Sequence, residues 1–179
     1  MGERINALAA LCKSQDMVVI CHTHSVIRHI PNRDLFMENT LSLKTGMVIE
    51  PIELRQRLVH SGYQMIQRVD EPFYYSKRGG VIDVYSIQYD NPIRIEFFDD
   101  EIESLRFFDK NTQRSLEKVQ EVTILPATDL LYREEEIPEA IKVIETLKDK
   151  TECEEYKENL EEEISIDIEA LKGHDYSTR

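Results

Sequence analysis

The spacing of apolar residues changes near Tyr63 from the helical period of about 3.6 to a period of 2, which continues to Leu125. Short runs of β-branched and aromatic residues follow one another in this region, and turn residues such as Gly79-Gly80 separate them. Short strands at such spacing pair with their neighbours in sequence, so the pattern predicts a strongly curved antiparallel sheet. The predicted strands are 65–69, 73–77, 81–85, 93–98, 102–107 and 119–125.

A helix is predicted directly before this sheet, between residues 50 and 61. Pro51 stands near its first turn, Arg57 lies in its second half and Gly62 follows its end, which are placements that helix termini favour. Upstream, the alternating segment 41–46 ends at a glycine and is typical of a strand. We expect the helix to cover one face of the sheet and the other face to stay partly open as a binding surface. Its core-facing residues are expected to be Ile52, Leu54, Leu58 and Val59.

The first 45 residues have the pattern of an incomplete α/β domain. Ile5 to Cys12 has helical spacing, Met17 to Cys21 is a continuous apolar run typical of a strand covered on both faces, and a short helix from Thr23 ends at Pro31. One such unit is too small for a doubly wound sheet, so we interpret residues 1–45 as a remnant of one. A strand without its neighbours folds poorly. We therefore expect this segment to pack on the rest of the chain or to be partly disordered.

Residues 128–179 form an acidic helical part. Apolar residues recur at helical spacing from Ile137 to Lys150 and again from Glu155 to Leu171, which predicts a helical hairpin. The runs of glutamate on these helices are interpreted as solvated faces. The expected fold class is therefore α+β, with a remnant at 1–45, a curved sheet module at 46–127 and a helical hairpin at 128–179.

Acidic residues outnumber basic ones, and the excess grows along the chain. The formal net charge is −13, divided as +1 over residues 1–63, −4 over 64–127 and −10 over 128–179. DNA binding needs clustered Lys and Arg that neutralise phosphates, so this distribution disfavours DNA and favours a protein partner. No apolar run reaches the roughly 20 residues of a membrane span, and the N-terminus lacks the order of a signal peptide, so we expect a cytoplasmic location.

The sequence lacks the motifs of the common catalytic classes. It has no phosphate-binding loop and no nucleophile elbow to accompany its five His residues, and the carboxylates at 99–103 lie at a predicted hairpin turn. Cys12, Cys21 and Cys153 are too widely spaced for a disulfide framework or a CxxC metal site. We therefore expect no catalytic residue, cofactor or metal in this chain, and a protein-contact surface is the remaining function.

Arg78, Arg94 and Phe98 are the candidate contact residues. Arg78 precedes the Gly79-Gly80 turn, while Arg94 and Phe98 are four residues apart on one predicted strand and so share a face. Guanidinium groups bind carboxylates bidentately and Phe supplies apolar area, so the three would form a compact hot spot. The alternative is that Phe98 belongs to the core and that both arginines pair internally with Glu96, Asp99 or Asp100.

Four segments resemble one known family. They are Phe-Tyr-Tyr-Ser-Lys-Arg-Gly-Gly-Val-Ile-Asp-Val-Tyr at 73–85, Arg-Ile-Glu-Phe-Phe-Asp-Asp-Glu-Ile-Glu-Ser-Leu-Arg at 94–106, Thr-Gln-Arg-Ser at 112–115 and Ile-Leu-Pro-Ala at 124–127. Together they resemble the module through which bacterial transcription-repair coupling factors and the excision-repair helicase UvrB contact the repair ATPase UvrA. The second and third segments favour the coupling factors, because the UvrB version looks more like Phe-Gly-Asp-Glu-Ile.

This resemblance implies that the chain binds UvrA through Arg78, Arg94 and Phe98, whose positions match the contact residues of the family. It also implies that residues 1–45 come from a helicase-like domain and that the parent is bacterial and cytoplasmic. That parent would use ATP and Mg in downstream translocase domains, bind duplex DNA and displace stalled RNA polymerase in transcription-coupled nucleotide excision repair. The alternatives are a DNA-binding fragment of UvrB itself and a spacer that packs against the translocase.

Overall fold

A six-stranded sheet and a separate pair of strands organise the chain in a computed structural model, which describes residues 2–13, 16, 18–27, 30–150, 164–166 and 168–169. The chain divides into two compact units, Met1–Leu131 and Tyr132–Arg179. The strands are β1 (Leu41–Lys44), β2 (Gln64–Met65), β3 (Tyr74–Arg78), β4 (Val81–Val84), β5 (Ile93–Phe98), β6 (Glu101–Phe108), β7 (Ser115–Val119) and β8 (Glu121–Ile124). The helices are α1 (Gly2–Lys13), α2 (Thr23–Ile27), α3 (Arg33–Glu38), α4 (Pro51–His60) and α5 (Ile137–Lys150), with a 3₁₀ turn at Glu134–Glu136 and a short helical stretch at 164–166.

The six-stranded sheet contains β2 to β7 in sequence order, so each strand pairs with its neighbour along the chain. β2 and β3 run parallel, and all later pairs in this sheet are antiparallel. The register shifts between Glu96 and Phe97, and again between Arg106 and Phe108, which are irregularities that bend a sheet. The α+β class predicted from the sequence is confirmed, with the one parallel pair as an addition.

β1 and β8 form the second, two-stranded sheet, with Leu41 opposite Ile124. After β1 the chain runs along the start of β6, where the Ile49 N–H donates to the Asp100 carbonyl at 2.8 Å and the Ile102 N–H donates to the Met47 carbonyl at 2.9 Å. This segment therefore continues the edge of the large sheet beside β6. β1 lies before the proposed domain boundary at residue 45 and its partner β8 lies after it, and the boundary itself stays a prediction.

The main core lies between one face of the six-stranded sheet, helix α4 and the β1–β8 pair. Leu54 and Leu58 of α4 are completely buried in it, as the sequence predicts. Ile52 was also expected to face the core, and this prediction is wrong because its side chain is 49% exposed. Ile52 lies two residues before Leu54, about 200° around the helix, so the two side chains point in opposite directions. We call the face of the six-stranded sheet that packs against this core the inner face.

A smaller core joins α1 and α3 to the end of the first unit. Ile5 of α1, Phe36 of α3 and Leu125 are nearly inaccessible and pack in one cluster. Helix α3 was not predicted, although it has a clear start: the Asn32 side chain accepts a hydrogen bond from the Leu35 N–H at 2.8 Å as an N-cap. Helices α1 and α3 therefore pack on the module that follows them.

The predicted strand at 17–21 is wrong. Val18 to Cys21 belong to no strand, and Val18 and Ile20 are 90% and 94% exposed. A continuous apolar run becomes a buried parallel strand only when strands on both sides pair with it. Within the part of the chain that the structure describes, no strand lies beside this run.

Three other predicted elements differ in their bounds. The run predicted as one strand at 119–125 belongs to two strands, β7 and β8, because the chain leaves the large sheet at Gln120 to pair with β1. Of the predicted strand 65–69, only Met65 lies in a strand, β2. The predicted strand 73–77 begins one residue later, as β3, because the φ of 76° at Phe73 is incompatible with a strand. Helix α5 matches the prediction at 137–150, whereas most of the second predicted helix, 155–171, lies outside the described residues.

The Gly79-Gly80 turn joins β3 to β4 as predicted, with a positive φ of 58° at Gly79 only. A positive φ at the first of two central residues is what a type II′ hairpin turn requires. A Cβ at position 79 would meet nothing within 4 Å, so any cost of substitution comes from backbone strain.

We expect Gly79→Ala to lower the free energy of unfolding by about 1 kcal/mol, because only Gly adopts positive φ without steric cost. Gly79→Asn should lose less, since Asn tolerates the left-handed region better than Ala. Urea denaturation of the three proteins measures this difference, and equal midpoints for Ala and wild type would contradict the assigned turn.

Candidate protein-docking face

The face of the six-stranded sheet opposite the core carries two rows of mostly polar side chains. Residues that pair across neighbouring strands project to the same face. We call the face opposite the core the outer face. One row contains Ser76, Asp83, Arg94, Arg106 and Lys118, and the next row contains Arg78, Val81, Glu96 and Ser104.

Arg94 is held in place at the centre of the outer face. Its Nε and Nη2 donate to the two carboxylate oxygens of Asp83 at 2.7 and 2.8 Å, a bidentate ion pair. Its guanidinium carbon also lies 4.6 Å from the centre of the Phe108 ring, a cation–π geometry. The hydrogen bonds that Arg94 donates to Asp83 raise the pKa of Arg94, even though burial opposes its charge. The guanidinium is therefore charged and preorganised, with 21% of the side chain exposed.

Glu96 organises a second polar cluster beside this pair. Its Oε2 accepts a hydrogen bond from the Ser104 hydroxyl at 2.6 Å and another from Arg106 Nη2. Arg106 Nη2 also donates to the Ser104 hydroxyl at 3.0 Å. Both charged side chains remain about one third exposed, at 28% for Glu96 and 31% for Arg106. This cluster is therefore reachable from solvent while its geometry is defined internally.

Arg78 ends β3 and lies one row away from Arg94. Val81 separates it from Glu96 in the cross-strand row, so Arg78 shares the outer face with Glu96. Its Nη2 donates to the backbone carbonyl of Gln67 at 2.7 Å and the side chain is exposed. A neutral carbonyl orients the guanidinium without cancelling its charge, so this hydrogen bond leaves Arg78 able to attract a carboxylate.

Phe98 is the most exposed aromatic side chain recorded on the outer face, at 75%. Arg94, Glu96 and Phe98 occupy alternate positions of β5 and so project to the outer face. Phe97, which lies between Glu96 and Phe98, packs partly against the main core. The alternative that Phe98 is a core residue is therefore wrong. The alternative of internal pairing holds for Arg94, but its partner is Asp83 and not one of the three carboxylates considered from the sequence.

One end of the outer face is closed. Val69, Tyr85 and Phe108 form a small buried cluster there, with Ile66 against it. The Gln113 side chain ties the neighbouring loop to the Val69 carbonyl at 3.2 Å. The open end carries Arg78, Glu96 and Phe98, and Arg94 lies at the border between the closed and open parts. All three residues predicted from the sequence, Arg78, Arg94 and Phe98, therefore lie on the outer face.

Sequence reasoning missed Asp83, which positions Arg94. A signal was present, because Asp83 interrupts the apolar strand Val-Ile-Asp-Val-Tyr, and a carboxylate inside such a strand needs a cationic partner. The next antiparallel strand supplies Arg94 in the matching register.

Among the described residues no cluster of His, Cys, Asp and Glu could hold a metal ion. In that same part of the chain, no helix is long and apolar enough to cross a membrane.

A sheet with one packed face, and with an exposed aromatic and oriented arginines on the other, has the composition of a protein-interaction surface. The chain belongs to the UvrB interaction domain family, whose model matches residues 41–130. The matched region starts at β1 and ends just after β8, the two strands that pair with each other.

The chain is similar to bacterial transcription-repair-coupling factors. The protein of Bacillus subtilis (strain 168) is 34% identical over 175 residues, which are 95% of this chain and 15% of the relative. The protein of Staphylococcus aureus (strain USA300) is 33% identical over 151 residues, 84% of this chain and 13% of the relative. The chain thus spans about one seventh of the length of the curated relatives that it matches.

Proposed function

We propose that this chain is the part of a transcription-repair coupling factor that binds UvrA, through the outer face of its six-stranded sheet. The single observation that carries the proposal is Phe98, a large apolar side chain 75% exposed at the open end of a face lined by arginines. Phe98 has no role in the core, and an exposed aromatic flanked by Arg is a typical hot-spot composition. The family match supports UvrA as the partner.

The contact chemistry assigns a different part to each residue. Phe98 inserts into an apolar pocket of UvrA, and Arg78 pairs with a carboxylate beside that pocket. Arg94 is already bound to Asp83, which compensates its charge, so it contributes the N–H groups that Asp83 does not use, in a fixed orientation, and loses little conformational entropy on binding. The complementary surface of UvrA is therefore apolar at its centre and acidic at its rim.

The parent protein is proposed to be an ATP-dependent DNA translocase in the bacterial cytoplasm that displaces stalled RNA polymerase and delivers UvrA to the lesion. The similarity to the coupling factors supports this role, and ATP, Mg and duplex DNA would be bound by other parts of the parent. This chain contributes recruitment and no catalytic step.

Calorimetric titration with purified UvrA, with duplex DNA and with ATP-Mg tests the assignment. Of the three ligands, we expect only UvrA to bind. A net charge of −13 repels the polyanion DNA, and the sequence contains no phosphate-binding loop for ATP. Thermal shift should be unchanged by ATP-Mg, since a ligand stabilises only a protein that binds it. Binding to duplex DNA, with or without binding to UvrA, would favour the UvrB-type alternative, and binding to neither UvrA nor DNA would favour a spacer.

A further inference from the structure

A third cross-strand row borders the open end of the outer face. Phe98 of β5 pairs with Glu101 of β6, and Glu101 forms a bridge with Val48 on its other side. The three side chains project to one face in the order Phe98, Glu101, Val48. Neighbouring strands are about 4.8 Å apart, so Phe98 and Val48 lie roughly 10 Å from each other with the carboxylate between them.

Val48 is exposed although its neighbours are not. Its side chain is 66% exposed, whereas Ile49 is 5% exposed in the main core and Met47 packs partly against the same core. The alternation shows that the segment is anchored by Met47 and Ile49 and that Val48 contributes no core packing. An exposed apolar side chain on its own needs no explanation. This one continues, in register, a face that already carries an exposed Phe.

We propose that the docking surface extends along this row, so that Phe98 and Val48 make two apolar contacts with UvrA on either side of an ion pair between Glu101 and a basic side chain of UvrA. The proposal rests on the proposed function, and it specifies the partner surface more closely. That surface would carry two apolar depressions about 10 Å apart with a Lys or Arg between them, next to the acidic rim that receives Arg78. A partner with only an acidic surface would repel Glu101.

The order of charges along the face makes the docking direction unique. Arg78 lies one row from Phe98 on the side of the hairpin turn, while Glu101 lies on the opposite side, towards Val48. Arg78, Phe98, Glu101 and Val48 thus give the order positive, apolar, negative and apolar, and Glu96, which lies beside Phe98 on the side of Arg78, is paired with Arg106. A partner rotated by half a turn would place Arg78 and Glu101 opposite apolar groups, and burying a charge without a partner is costly.

Val48→Ser tests the proposal, with Met65→Ser as the matched control. Met65 is 65% exposed, nearly the same as Val48, and lies on β2 at the other edge of the sheet, paired with the inner-face residue Tyr75. We expect Val48→Ser to weaken UvrA binding roughly fivefold to tenfold, the effect of losing one buried aliphatic contact. Met65→Ser should leave the affinity within about twofold of wild type. Melting temperatures of both variants separate lost contact from lost fold.

Glu101→Gln supplies the second readout. It keeps the backbone pairing and the size of the side chain and removes only the charge, so we expect slower association with UvrA and a weaker dependence of the association rate on salt. Unchanged affinity in Val48→Ser, or an equal loss in Met65→Ser, would overturn the extended surface. If Phe98→Ala weakens binding in that experiment, the proposed function survives and only the extension fails. If Phe98→Ala binds as wild type, the docking face itself is wrong.

Discussion

Asp83→Ala is expected to lower the free energy of unfolding by about 3 kcal/mol, the lower end of the cost of breaking a buried ion pair. Asp83 is only 4% exposed in its side chain and holds both Nε and Nη2 of Arg94. Removing it leaves a guanidinium in a poorly solvated position without its carboxylate. The lower end of the range applies because Arg94 keeps 21% of its side chain in contact with water. Urea denaturation at neutral pH measures the loss.

Two controls separate the stranded charge from other causes. Asp83→Leu combined with Arg94→Met removes both charges and should recover most of the lost stability, because an apolar pair of similar volume replaces a buried ion pair at little cost. Glu121→Ala breaks the exposed pair with Lys44, whose side chains are 54% and 63% exposed, and should change stability by less than about 1 kcal/mol. An equal loss in the single and double variants at Asp83 would contradict the assigned role of the pair.

The same double variant connects stability to function. It should fold nearly as well as wild type and still bind UvrA more weakly, because the oriented N–H donors of Arg94 are gone. Asp83→Asn is a milder test, since an amide can accept one hydrogen bond from Arg94 but cannot compensate its charge. Loss of binding with retained stability would show that the ion pair serves the docking face as well as the fold.

Local patterns predict the elements whose causes are local. Helix α4 carries Pro51 at its start and Gly62 after its end, and the φ of 88° at Gly62 is the left-handed conformation that follows many helices. The turn at Gly79 follows from its own two residues. Both elements could therefore be predicted from the sequence within one residue.

Elements that depend on distant partners could not be predicted in this way. The predicted strand 119–125 is interrupted at Gln120 because β8 pairs with β1, whose residues lie about eighty positions earlier. No signal near Gln120 contains that information. Val18 to Cys21 has the composition of a buried strand, but among the described residues no strand lies beside it. Arg94 and Phe98 were placed on one face correctly because alternation along one strand is local, whereas the Asp83 partner required the register between two strands.

Phe98→Ala is expected to weaken UvrA binding by about 2 to 4 kcal/mol, because a Phe that fills a pocket at the centre of an interface is among the residues that dominate binding energy. Since Phe98 is 75% exposed in the free chain, its truncation should leave the melting temperature nearly unchanged. Calorimetry of UvrA binding, with melting temperatures measured in parallel, tests both statements. A large fall in melting temperature would return Phe98 to the core.

Arg78→Ala should lose affinity in the range of 2 to 5 kcal/mol if the carboxylate that it pairs with on UvrA becomes desolvated, and roughly 1 kcal/mol if that contact stays at the rim. It should also flatten the dependence of the association rate on salt, because charged contacts accelerate encounter. The matched control is Arg57→Ala, which removes the same charge from the exposed side of α4, the helix that packs on the inner face. Loss of net charge alone would affect both variants equally. A selective loss in Arg78→Ala and Phe98→Ala assigns binding to the outer face, whereas wild-type affinity in both places the UvrA contact elsewhere on the chain.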